Sequence, residues 1–284
     1  MTAPWTSRRV INYAHQGGSF EGPSSTMAAI GQALAGAATA VELDVHATVD
    51  RQIVVSHDET VDRTTDHRGQ IADLTLGELR EMDNAYWWIA GEAVTPGRPD
   101  HEYVLRGRAP AQRDYGVATL EEVATRFPRV LLNLDIKRSA PDVEPYEELL
   151  AAELRRLERT DSVIVASFLD GAIQAFRALA PEVATSAATG ETAAFFFSLA
   201  EGSVAVPPAQ ALQVPATFGD ITVVDGRFVE AAHGAGLAVH VWTINEEDEM
   251  RRLVDLGVDG IVSDRPTRLS RVLMERGCAW DGVL

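Results

Sequence analysis

Short apolar runs alternate with longer amphipathic stretches from one end of the chain to the other. Runs of mostly apolar residues at 10–14, 40–45, 130–136, 163–167, 183–187, 211–214, 238–242 and 260–263 predict strands. The spacing between them predicts helices over 25–37, 120–127, 145–159, 171–179, 191–200, 227–236, 246–256 and 267–276. Eight strand–helix alternations imply a parallel sheet, and eight is the number that closes a (β/α)8 barrel. A doubly wound open sheet would alternate in the same way. The barrel is favoured because polar residues stand at or just after strand ends along the whole chain, and barrel sites are assembled at that face.

One stretch breaks the rhythm. Residues 84–115 are rich in Gly, Pro, Arg and aromatics and have no clear period. Loops this long in compact proteins are usually functional, so the stretch is expected to be an insertion over the barrel mouth, between the second and third strands. Its Tyr86-Trp87-Trp88 cluster either lines an apolar path at the mouth or caps a core. No repeat, low-complexity tract or linker divides the chain, so residues 1–284 are expected to form one domain.

Composition narrows the partners. At 284 residues the chain accommodates a barrel of ~250 residues plus an insertion. A formal charge of −17 argues against a nucleic-acid binder and against adsorption to anionic membranes. An anionic substrate would then need local positive charge. The lone Cys278 has no nucleophile context and is read as a bystander. The first residues hold no apolar core of signal-peptide length, and no run reaches ~18 apolar residues. No stable membrane insertion and a cytoplasmic location are therefore expected.

The candidate chemistry lies in four segments: Ala14-His15-Gln16-Gly17-Gly18, Val41-Glu42-Leu43-Asp44-Val45, Val55-Ser56-His57-Asp58 and Asn133-Leu134-Asp135-Ile136-Lys137. Glu42 and Asp44 are two apart in a strand and so share a face, and Asp135 ends another strand. Three converging carboxylates suit one hard divalent cation, Mg²⁺ or Ca²⁺. The same acids could instead cap helices or pair with arginines. His15 and His57 end apolar segments and could act as general acid and base, or be hydrogen-bonded core histidines. Lys137 shares the face of Asp135, where it could hold a phosphoryl oxygen or pair with a carboxylate. His46, His67, His101, His233 and His240 lack such a setting and are expected to be structural or exposed.

Taken in order, these segments resemble the glycerophosphodiester phosphodiesterase family. Its elements are matched by His15-Gln16-Gly17, Pro23-Ser24-Ser25-Thr26, Glu42-Leu43-Asp44, His57-Asp58, Asp62-Arg63-Thr64-Thr65 and Asp135-Ile136-Lys137. Val241-Trp242-Thr243-Ile244-Asn245 and the run from Gly257 to Pro266 are similar to its closing segments. The resemblance implies a (β/α)8 barrel and metal-dependent hydrolysis of glycerophosphodiesters to an alcohol and glycerol 3-phosphate. It implies His15 and His57 as the acid–base pair and Glu42, Asp44 and Asp135 as metal ligands. Lys137 would contact the phosphate, Gln16 would stand at the phosphate-clamp position, and Trp242 would line the alcohol or glycerol side.

Three positions depart from the family pattern. Gln16 stands where an arginine is usual, Ser24-Ser25 replace a Glu-Asn pair, and Asp135 replaces a glutamate. The last change recurs in lysophospholipase D-like and sphingomyelinase D-like enzymes, which makes a lipid phosphodiester the alternative substrate. Loss of the arginine and of the Glu-Asn pair motivates a second alternative, a catalytically weakened binding protein on the same barrel.

Overall fold

Apolar residues at alternate strand positions are drawn under the covering helices, and this decides which way every strand faces. The computed structural model describes residues 4–137 and 146–280. Its eight parallel strands are β1 (Ile11–His15), β2 (Ala40–Ala47), β3 (Leu131–Ile136), β4 (Val163–Ala166), β5 (Ala184–Thr185), β6 (Ala211–Pro215), β7 (Ala238–Trp242) and β8 (Gly260–Ser263). They run side by side in the order β5-β4-β3-β2-β1-β8-β7-β6. A bridge between Ser186 and Ala211, with Ala187 N–H donating to Ala211 O at 2.9 Å, brings β5 against β6. The result is the expected (β/α)8 barrel, nearly closed, with one thin seam. At that seam β5 has two residues where the pattern predicts five.

Among the described residues eight longer helices cover the strands, α1 (Met27–Ala35), α2 (Leu120–Arg126), α3 (Tyr146–Arg156), α4 (Asp170–Leu179), α5 (Thr189–Glu201), α6 (Gly226–Gly234), α7 (Glu247–Leu256) and α8 (Pro266–Arg276), and a further single turn of helix spans Leu76–Leu79. The helix predicted from residue 25 starts at Met27 because Thr26 is its cap, Oγ1 accepting from Ala29 N–H at 3.2 Å. Residue 145, the predicted start of the third helix, lies outside the described residues.

Outward residues Val41, Leu43 and Val45 of β2 and Leu132, Leu134 and Ile136 of β3 join the helix-packed core. Full burial of such side chains stabilises by roughly 1.5–3 kcal/mol each, which offsets a costly polar interior. Inside the barrel, Ile11, Tyr13, Ala40, Leu131, Ile164, Ala211, Ala238 and Val262 pack with Trp5 and Trp280 as an apolar floor. Polar residues lie above that floor, toward the C-terminal ends of the strands.

The chain between β2 and β3 first folds back on β2 through an antiparallel strand, Ile53–Val55, with Val45 opposite Val55. It then forms the expected insertion, which contains the short hairpin of Trp88–Ile89 and Ala93–Val94. The insertion makes its own small core. Tyr86, Trp87 and Tyr103 surround the Arg106 guanidinium, with ring centroids 4.2, 4.7 and 3.8 Å from its central carbon. Trp88 Nε1–H donates to Ser19 O at 2.9 Å and ties the insertion to the loop after β1. The aromatic cluster is therefore a cap over structure rather than an open apolar path.

Candidate active site

Strand register assembles the site. His15 lies beside Glu42 across β1 and β2, and Asp44 lies beside Asp135 across β2 and β3. His15 ends β1 and Asp135 lies one residue from the end of β3, while Glu42 and Asp44 stand in the middle of β2 beside them, with Lys137 just beyond β3. Lys137 Nζ stands 2.8 Å from Asp44 Oδ1 and 2.8 Å from Asp135 Oδ2. Both readings of Lys137 thus remain compatible with one placement, and its ion pairs are visible. The remaining oxygens, Asp44 Oδ2 and Asp135 Oδ1, are buried without a hydrogen-bond partner.

The cluster is electrostatically costly as it stands. Burial pushes the Asp135 carboxyl up to about 6 although the Lys137 charge opposes the shift. Burial and the charge of Asp44 push Glu42 up to about 8, against the pull of His15. Burial disfavours the Lys137 ammonium, but Asp44 and Asp135 outweigh it and raise its pKa.

His15 is held by a network. Its Nδ1 lies 2.6 Å from Asp264 Oδ1, and Asp264 also accepts from Ser19 Oγ–H at 2.6 Å and Asn245 Nδ2–H at 2.7 Å. Its Nε2 faces Glu42 Oε2 at 3.7 Å. Burial opposes a charged imidazole, yet the hydrogen bond to Asp264 and the charges of Glu42, Asp264 and Asp44 raise its pKa to about 9. Asp264 and Asn245 received no role from sequence. Their signal was there: Asp264 directly follows β8, a strand-end polar residue like the others.

His57 stands just past the end of a strand, as its apolar segment predicts. It follows the antiparallel return strand, not a barrel strand, and Ser56 N–H donating to Asp44 O at 3.0 Å returns the chain to the level of Asp44. His57 Nδ1 is 2.7 Å from Asp58 Oδ1, and Asp58 Oδ2 accepts from Arg63 Nε–H at 2.5 Å. The hydrogen bond from His57, with Arg63, holds the Asp58 carboxyl well below the usual carboxylate range although burial opposes it. Asp58 and Arg63 belong to quoted motifs, but only the fold shows them orienting the ring.

Gln16 is buried with φ +52. Its N–H donates to Glu42 O at 2.9 Å, and its Nε2 is 3.3 Å from His15 Nε2, so it serves the turn and points at the site together. Gly17 and Gly18 follow at φ +84 and +90, and a Cβ on Gly18 would meet Pro266 Cγ at 2.9 Å. The glycines thus let the loop after β1 pass close to α8. Trp242 ends β7 and stacks edge-on with Phe168, centroids 5.6 Å apart, while the Phe168 ring lies 5.8 Å from Lys137 Nζ. These two rings wall one side of the site.

The donor set fits a hard divalent cation: three carboxylates, two buried oxygens awaiting a partner, no thiolate. Among the described residues no three acidic, histidine or cysteine side chains converge as a metal group; the Lys137 ammonium stands between Asp44 and Asp135. Nor is any helix among them long and apolar enough to cross a membrane.

Residues 15–268 match the model of the glycerophosphoryl diester phosphodiesterase family. A Mycobacterium tuberculosis protein named as probable glycerophosphodiester phosphodiesterase 2 is 30% identical over 280 residues, covering 96% of this chain and 94% of its own. A Bacillus subtilis glycerophosphodiester phosphodiesterase is 29% identical over 277 residues, covering 93% of this chain and 86% of its own. An Oleispira antarctica phosphodiesterase, solved in complex with the product sn-glycerol-3-phosphate, superposes with a TM-score of 0.67 at 25% identity, over 92% of this chain and 96% of its own.

Proposed function

Because the chain belongs to the glycerophosphoryl diester phosphodiesterase family, and is thus a phosphoric diester hydrolase, we propose that it cleaves glycerophosphodiesters to an alcohol and glycerol 3-phosphate at this rim site. The whole chain, residues 1–284, would act as one barrel domain. One observation carries the mechanism. Each candidate imidazole is held at Nδ1 by a carboxylate, His15 by Asp264 at 2.6 Å and His57 by Asp58 at 2.7 Å. This commits Nδ1 as donor and leaves Nε2 of each ring to move a proton. One imidazole takes the proton of the attacking hydroxyl while the other delivers a proton to the departing alkoxide.

Glu42, Asp44 and Asp135 would hold one divalent cation, Mg²⁺ or Ca²⁺ on an all-oxygen donor set. When bound, it supplies charge neutralisation at a nonbridging phosphate oxygen. Lys137 adds a fixed positive charge for a second phosphoryl oxygen, which matters more here because Gln16 brings a neutral amide where a charged clamp is usual. Trp242 and Phe168 pack against the carbon skeleton of the glycerol or alcohol. The intact imidazole–carboxylate pairs favour catalysis over a binding-only barrel. A lipid phosphodiester is the second reading, favoured by Phe168, which is 56% exposed beside the site.

The test is an assay of chelator-stripped and metal-restored protein on glycerophosphocholine, glycerophosphoethanolamine and lysophosphatidylcholine, with products identified by ³¹P NMR. Glycerol 3-phosphate formed only after metal is restored is expected. Phosphocholine as the product, or no turnover of any substrate with any divalent cation, would sink the proposal.

A further inference from the structure

Between the carboxylates and the apolar floor, the barrel interior is crossed by a pair of amides. Leu132 and Leu134 of β3 and Leu212 and Val214 of β6 pack outward under the helices, so Asn133 and Gln213 face inward. Each lies one inward step above a floor residue, Leu131 and Ala211. Asn133 Nδ2–H donates to Gln213 Oε1 at 3.0 Å, joining two strands that are not neighbours in the sheet. Strand register sets Asn133 beside Glu42, so the bridge runs at the level of the lowest carboxylate. Gln213 Nε2 lies 3.4 Å from Nδ1 of His240, a fully buried ring that burial keeps neutral and able to accept.

Two features go beyond a brace. Asn133 is 2% exposed, yet its Oδ1 is buried with no hydrogen-bond partner. Gln213 is only half-buried, although Leu131 and Ala211 beneath the bridge are fully closed off, so its exposed side opens upward into the site. An apolar pair would close the barrel without stranding an acceptor. One amide oxygen and the second N–H of Gln213 are thus left, on two groups already in contact. A hydroxyl offers one donor and one acceptor and satisfies both. Both amides are neutral and Glu42 stands beside them, which suits a neutral hydroxyl better than a second anionic group.

We infer that Asn133 and Gln213 are specificity-determining residues that read a hydroxyl of the substrate's glycerol, which sits deep against the amide bridge. The other alcohol then departs toward the mouth, past the exposed ring of Phe168. The inference rests on the phosphodiester site proposed above. Its consequence is strict selection of glycerol combined with tolerance for the leaving alcohol, because the deep side is closed by the floor and carries directed hydrogen bonds, while the mouth does not.

The experiment is calorimetric titration of the metal-restored full chain with sn-glycerol 3-phosphate and with n-propyl phosphate, which keeps the phosphate and lacks both hydroxyls. Wild type should bind glycerol 3-phosphate at least ~10-fold more tightly, since the analogue leaves the amide pair unsatisfied. Gln213→Met keeps the length of the side chain and removes its donor and acceptor. It should weaken glycerol 3-phosphate roughly 10-fold and leave n-propyl phosphate within about 3-fold, so that the preference disappears. Asn133→Ala gives the same comparison should the Met variant fail to fold, and the wild-type comparison stands whether or not either variant folds. Equal binding of the two phosphates by wild type, or a Gln213→Met variant in which both change equally or neither changes, overturns the role of the amides and leaves the phosphodiester site standing. If wild type binds neither phosphate, the site reading itself is wrong, and this inference falls with it.

Discussion

Asp264→Asn changes one atom at the junction of the His15 network, and the structure states what that atom does. The carboxylate is 7% exposed and accepts three hydrogen bonds, from His15 and Ser19 at Oδ1 and from Asn245 at Oδ2. An asparagine with its oxygen toward His15 and Ser19 must present an N–H to the Asn245 amide. Asn245 cannot turn over without loss, because its Oδ1 already accepts from Asp264 N–H at 2.9 Å and Ser263 Oγ–H at 3.2 Å. One buried donor is left unpaired, at ~1–3 kcal/mol.

The electrostatic part is separable from that packing cost. Raising His15 from 6.5 to about 9 corresponds to ~3 kcal/mol in favour of the imidazolium. Burial works against that shift, and the hydrogen bond to Asp264 is the foremost influence on the other side. If Asp264 supplies a third of the preference, the substitution lowers the His15 pKa by roughly one unit. A group whose pKa is raised on folding stabilises fully below its unfolded value and loses that contribution as pH rises through its folded value. The variant should therefore be destabilised more at pH 6 than at pH 9.5. NMR titration of the His15 ring in metal-stripped protein, with melting curves at both pH values, checks this. An unchanged His15 titration together with a pH-independent loss of Tm would refute the argument.

His15→Ala and His57→Ala should each lose at least ~10² in kcat/KM while keeping their Tm within a few degrees, and full activity in either would remove that ring from the mechanism. Lys137→Met strips the cation from between two buried carboxylates, so metal-free protein should lose ~3–5 kcal/mol of stability in denaturant melts and regain part of it when a divalent cation is added. An unchanged midpoint would show that the two ion pairs are not energetically coupled to folding. Gln16→Ala should lower kcat/KM about 5-fold, the effect of ~1 kcal/mol from one neutral hydrogen bond, and wild-type kinetics would place Gln16 outside the phosphate site.

Much of the architecture and half the logic of the site were legible along the chain. Eight strand–helix alternations identified the barrel because secondary structure follows local periodicity, which the sequence displays directly. Glu42 and Asp44 could be placed on one face because strand alternation is also local. The order of motifs such as Glu42-Leu43-Asp44 and His57-Asp58 was enough to suggest the family.

What escaped depends on distance along the chain. Asp264 lies 249 residues from His15, and only the pairing of β8 with β1 brings them together. That His57 arrives on an antiparallel return strand is a matter of chain reversal, which short apolar runs do not specify. The aromatic residues of the insertion looked equally suited to a substrate path or a cap until Arg106 was found among their rings. The sequence by itself determined periodicity, facing and motif order, all properties of neighbouring residues. Tertiary structure decided partners, protonation and the positions of charges, because these depend on burial and on contacts between residues far apart in the chain.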